Sequence, residues 1–142
     1  MSATGTSISP SSTRGRTAVT IILAAVAAVV LNELVAMLAL TLGANPTFPP
    51  LAPFVFAPFT LLGLAAAYIG WRIIRRRANR PARVLRVLVP ILTVLSFIPD
   101  TFLAITGFIP GSSLIAVLGL ATMHLVVVGT AVVMSARVAP VR

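Results

Sequence analysis

The sequence predicts an all-α membrane protein, an antiparallel bundle of four transmembrane helices with both termini in the cytoplasm. Three observations carry that expectation. The chain is 58% hydrophobic and 9% charged over 142 residues, too short to hide so much apolar surface in a water-soluble core. Its apolar residues gather in four segments, each long enough to cross a bilayer as a helix. All eleven basic residues are arginines lying outside these segments or at their ends, while the only two acids, Glu33 and Asp100, fall inside two of them. Arginine outside the hydrocarbon costs little and fixes topology, whereas an acid within it is expensive.

Residues 1–16 are rich in Ser, Thr and Gly and too poor in apolar side chains to fold, which predicts a disordered cytoplasmic tail ending in Arg14 and Arg16. The first span covers about 17–42 and exceeds both the ~20 residues a membrane helix needs and the apolar run of a cleaved signal peptide. Gly43 to Pro53 contains four prolines and predicts a stiff, uncharged outer turn. The second span covers about 54–74, with Tyr68 and Trp71 at the headgroup level of its inner end.

The stretch from Arg72 to Arg86 holds seven arginines, with Pro81 breaking whatever helix enters it, and predicts the main cytoplasmic loop. A third span follows over about 84–106, a second outer turn over Gly107 to Ser113, and a fourth span over 114–135. Residues 137–142 form a second cytoplasmic tail with Arg137 and Arg142. Every arginine then falls on one side and none on the other, a bias that places both termini inside and the chain in the inner, cytoplasmic membrane of a cell.

Contact faces between helices in lipid favour small residues that let backbones approach. Ala25, Ala28, Asn32 and Ala36 recur at helical spacing in the first span, Gly63, Ala67 and Gly70 in the second, and Ala116 and Gly119 in the fourth.

The polar set inside the spans supplies the candidate site. Glu33, Asp100 and the single histidine, His124, lie about nine, six and ten residues from the outer ends of their spans, depths that overlap at ~1.5 Å per residue. Groups at one height in a narrow bundle can meet, and meeting offsets the ~2.5–3.5 kcal/mol that a lone central acid incurs on insertion scales. An outward-opening pocket of Asp100, His124, Asn32, Glu33 and Ser96 would bind a small ligand or carry a proton.

Pro99 sharpens the case of Asp100, because a proline inside a span frees the carbonyl one turn earlier. Ser96 would then share a helix face with Asp100 and could donate to it. The alternative ends the third span near Ile98 and leaves Asp100 wet among the headgroups, capping a short helix. His124 reads either as a proton carrier paired with Asp100 or as a neutral interhelical bonder, and Asn32 as interhelical glue. Glu33 points about 100° away from Asn32 around the helix and joins the pocket only if that face meets the bundle.

Several function classes are excluded. Absence of cysteine removes disulfides, thiolate metal sites and thiol nucleophiles, and two acids with one histidine fall short of a closed zinc site, so neither metal nor cofactor is expected. The sequence contains no phosphate loop, HExxH or nucleophile beside a base, which argues against an enzyme. A net charge of +9 without a soluble domain points to anionic lipid and away from nucleic acid. Arg72, Arg75, Arg76, Arg77, Arg80, Arg83 and Arg86 are the expected headgroup contacts, primarily as topology signals. A membrane-protein partner or a homo-oligomer is the alternative to a ligand site, with the polar groups then serving to lock helices.

Asn32, FPPLAP (Phe48 to Pro53), TLLG (Thr60 to Gly63), the arginine-rich stretch, SFIPD (Ser96 to Asp100) and MHLVVVGTAVV (Met123 to Val133) together carry a resemblance. Over residues 17–136 the chain resembles small four-span actinobacterial membrane proteins grouped as a domain of unknown function. The Pro-Asp and Met-His pieces are its most specific parts, and Glu33 is not part of the pattern. The resemblance implies four membrane helices and no assigned activity.

Overall fold

The computed structural model of the chain describes residues 10–141, with side chains from residue 14 onward; residues 1–9 of the predicted tail, and Arg142, lie outside the described residues. Five α-helices appear in the order α1 (Pro10–Thr41), α2 (Pro53–Arg77), α3 (Pro81–Ser96), α4 (Ile98–Thr106) and α5 (Leu114–Val138), with a short 3-10 turn, Pro49–Leu51, before α2. Counting α3 and α4 as one broken segment, four helices are long and apolar enough to cross a membrane: Arg14–Thr41, Pro53–Arg77, Pro81–Thr106 and Leu114–Val138.

The helices run further than the predicted spans at the arginine-rich end. Residues 10–16 belong to α1. Arg75, Arg76 and Arg77 form the last turn of α2, and α3 starts at Pro81, so of the expected Arg72–Arg86 loop only residues 78–80 connect helices. Two local rules explain this. Arginine is a good helix former that interacts favourably with a helix C-terminus. Proline at the first helical position has its fixed φ preset and loses no hydrogen bond, so Pro81 opens a helix where it was expected to break one.

Other ends follow the same chemistry. Pro53 opens α2 after Ala52 in an extended conformation, and Ser113 caps α5 by accepting from the Ala116 N–H at 3.2 Å. Gly107 closes α4 with φ 58°, the left-handed conformation glycine tolerates best. At the opposite end from the arginines the two turns touch: a Cβ on Gly111 would lie 3.3 Å from Asn45 Cγ.

α1 and α5 share the most extensive contact, with α2 against both, and α3–α4 forms the least buried segment. The seam is made of small residues. Ala28 and Ala116 are fully buried, Ala36 and Ala39 nearly so, and a Cβ on Gly119 would come within 3.0 Å of Ala39 Cβ. A Cβ on Gly63 would likewise lie 3.1 Å from Val127 Cγ1. Gly70 does not: a Cβ there would meet nothing within 4 Å, so the predicted stripe on α2 is a packing face at Gly63 and an open space at Gly70.

Buried residues form one main cluster around Phe48, Leu51, Ala116 and Met123, a small middle cluster of Ala28, Leu64 and Ala131, and a third of Trp71, Leu85 and Ala139 near the arginines. Large apolar side chains meanwhile face outward along every span, Leu23 at 63% exposure, Phe54 and Ile105 at 80%. In water this belt would drive aggregation, and in lipid it is the solvated surface.

Candidate functional site

Asp100 and His124 meet. Asp100 sits in the first turn of α4 and His124 at mid-length of α5, with His124 Nδ1 3.0 Å from Asp100 Oδ2. Their side chains are 5% and 36% exposed respectively, so the acid is enclosed and the imidazole forms its one half-open side. The two groups are in close polar contact, but the angles are not those of a hydrogen bond, and Asp100 Oδ2 is buried without an aligned donor. Nδ1 also lies 3.1 Å from the Leu120 carbonyl of its own helix, which fixes the ring. Phe97 packs edge-on against the imidazole, ring centroids 6.3 Å apart at 86°.

The backbone reason for this placement lies at residues 96–99. Phe97 stays in the right-handed helical region, φ −83° and ψ −7°, and its N–H reaches Val94 at 3.1 Å, tightening the end of α3. Pro99 has no N–H to offer Leu95, and helical bonding resumes at Thr101, which donates to the Phe97 carbonyl at 2.8 Å. The segment therefore breaks as the headgroup alternative required, yet Asp100 is buried as the pocket reading required. The break turns its carboxylate onto α5.

Ser96 does not reach the carboxylate. Its hydroxyl donates to the Thr93 carbonyl at 2.7 Å, because Ser96 ends α3 and Asp100 belongs to the next helix, so the expected shared face does not exist. Glu33 is half-buried and does not converge with Asp100 and His124 into a three-ligand cluster among the described residues, so no metal-binding set forms there.

Asn32 makes a separate polar contact. It is 1% exposed and donates from Nδ2 to Thr60 Oγ1 on α2 at 2.7 Å, while its Oδ1 is left without a partner. Sequence reasoning found Asn32 but missed Thr60, whose signal was present: it lies seven residues into α2, near the depth of Asn32. Ser135 was missed as well, a buried hydroxyl with no partner near the arginine end of α5. Trp71, read as a headgroup marker, is instead buried and donates its indole N–H to the Ala139 carbonyl at 2.9 Å.

Among the predicted headgroup contacts, Arg72 is half-buried with its guanidinium 5.7 Å from the Tyr68 ring centroid. Arg75, Arg76, Arg77, Arg80, Arg83 and Arg86 are exposed. Three cavities stand out in the described surface, and none is lined by Asp100, His124, Asn32 or Glu33.

An all-helical chain with four helices of membrane-crossing length and an outward apolar belt falls in the class of multi-pass membrane proteins. Residues 12–140 match the Family of unknown function (DUF6069), and the chain belongs to that family. No curated protein and no solved structure matches it.

Proposed function

We propose that this is a non-enzymatic protein of the cytoplasmic membrane that takes up and releases a proton at the Asp100–His124 pair. In this proposal the four spans form an antiparallel bundle with both termini inside. The arginines face anionic lipid headgroups, and the pair lies toward the outer side. The carrying observation is the 3.0 Å contact between an enclosed carboxylate and a half-open imidazole from different helices. Adding one proton converts a carboxylate beside neutral imidazole into a carboxylate–imidazolium pair, and imidazole in water titrates near neutrality. α4 carries no other titratable side chain, Arg137 lies at the far end of α5, and Glu33 on α1 does not join the pair in a three-ligand cluster among the described residues.

His124 is the chain's only histidine, so ring-¹⁵N NMR of the full chain in lipid nanodiscs gives one imidazole signal without assignment. The signal will respond to pH, and Asp100→Asn will alter that response. A signal that keeps one neutral tautomer throughout, or a response indifferent to Asp100→Asn, refutes proton exchange at the pair.

A second reading has its own observation. The Nδ1 contact to the Leu120 carbonyl at 3.1 Å holds the ring as a structural link would, which fits a subunit of a membrane complex whose polar groups lock helices. Under that reading the imidazole signal does not change with pH, and a partner protein copurifies from native membrane.

A further inference from the structure

Between α2, α3 and α5 lies a cavity of about 310 Å³ that reaches the arginine end of the fold. Ala67, Gly70 and Trp71 line it from α2, Val89 and Leu92 from α3, and Ser135 from α5. Its size is at the lower end of the ~300–1,000 Å³ of small-molecule sites, room for a stretch of alkyl chain. Ala67 and Leu92 are exposed, so the cavity opens on the surface that the spans present to lipid.

Ser135 distinguishes this cavity from an ordinary packing defect. Several hydroxyls in the helices return to their own backbone: Thr93 to Val89 at 2.8 Å, Thr101 to Phe97 at 2.9 Å, Thr122 to Leu118 at 2.8 Å. Ser135 is 1% exposed and lines the cavity, and its hydroxyl has no partner. A buried unpaired hydroxyl costs free energy unless something accepts from it.

We infer that this cavity holds one acyl chain of an anionic phospholipid, with the ester carbonyl accepting from Ser135 and the phosphate on Arg75 and Arg86. The headgroup half of the inference rests on the proposed orientation of the arginines toward lipid; the acyl half rests on the cavity alone. Arg75 follows Trp71 by one helical turn and Arg86 precedes Val89 by nearly one, so both stand at the cavity's arginine end. Both are exposed, and the chain's two acids are Glu33 and Asp100, on other parts of the fold. A second copy of the chain is the poorer occupant. Inserted the same way, it would bring its own arginines against these, whereas a phospholipid brings the opposite charge.

Trp71 is the chain's only tryptophan and lines the cavity, so it reports occupancy directly. The full chain is reconstituted in phosphatidylcholine bilayers containing rising fractions of phosphatidylglycerol brominated on its acyl chains, or of phosphatidylcholine brominated alike. Brominated phosphatidylglycerol will reach half-maximal quenching at a mole fraction about fivefold lower, because both lipids bring a phosphate but the choline ammonium offsets its charge. Gly70→Leu, placed where an added Cβ meets nothing within 4 Å, will fill the cavity without disturbing the fold and abolish the preference. Arg75→Gln with Arg86→Gln will equalise the two lipids while leaving quenching intact, and Ser135→Ala will weaken quenching by both. Equal curves for the unsubstituted chain, or a curve unmoved by Gly70→Leu, overturn the inference. Trp71 emission that follows the protein-to-lipid ratio overturns it in favour of a second copy. A preference that survives loss of both arginines overturns the anionic assignment.

Discussion

Gly119→Ala will destabilise the helix pack, and Ala39→Gly in the same chain will largely restore it. The Cβ added at Gly119 would lie 3.0 Å from Ala39 Cβ, and 3.7 Å from Leu51 Cδ2, which is ordinary contact. Carbon atoms prefer about 3.5–4.0 Å, so the seam between α1 and α5 must open by roughly half an ångström or more. Ala36 and Ala39 are 2% and 4% exposed, and this is the most extensive helix contact in the fold, leaving little room to yield. Overpacking of this kind costs about 1–3 kcal/mol; a single methyl belongs near the lower end. Removing the Ala39 methyl eliminates the clash, so a double-mutant cycle will show a favourable coupling of about 1 kcal/mol. Unfolding of the purified protein in mixed micelles, followed by helical circular dichroism, measures all four corners of the cycle. Additive effects, or a Gly119→Ala protein as stable as the parent, would show that α1 and α5 do not approach as described.

Two further predictions concern the polar contacts. Asn32→Leu will cost about 0.6–2 kcal/mol in the same unfolding assay, the range of interhelical hydrogen bonds in membranes. Combining it with Thr60→Val will cost less than the sum, because the two side chains share one bond at 2.7 Å. Pro99→Ala restores an N–H able to bond Leu95 and will straighten the junction of α3 and α4. It will carry Asp100 away from His124, seen as a shifted His124 ring-¹⁵N signal; a signal identical to the parent's would show that the proline does not set the contact.

Much of the architecture was legible in the sequence because bilayer crossing imposes long apolar runs and arginine marks their ends. The helix bounds were less so. Pro81 was expected to break a helix, yet its lack of an N–H costs nothing at a helix start, and sequence alone does not say which side of a proline is helical. At Pro99 the two expected outcomes proved to be halves of one arrangement. The helix breaks, and the break is what buries Asp100 against His124.

Depth counting brought Asp100 and His124 together correctly but also enlisted Glu33 and Ser96. Height along a span is readable from residue number, whereas the direction a side chain faces depends on how the helices are rotated. Thr60 and Ser135 were overlooked for a related reason. Hydroxyls in apolar helices usually bond their own backbone, and only packing reveals that Thr60 meets Asn32 and that Ser135 is buried without a partner. Gly63 and Gly70 look alike in sequence, and the neighbouring helices decide that one is a contact and the other a gap.

The claim on which the rest depends is four crossings of the bilayer with the arginines at the cytoplasmic surface. The chain has no cysteine, so single cysteines can be introduced at Asn45, Ser112 and Ala78 without background labelling. With a membrane-impermeant maleimide on intact cells, the account predicts that Asn45→Cys and Ser112→Cys react and that Ala78→Cys reacts only after the membrane is opened. Labelling of Ala78→Cys in intact cells, with the other two protected, would contradict it.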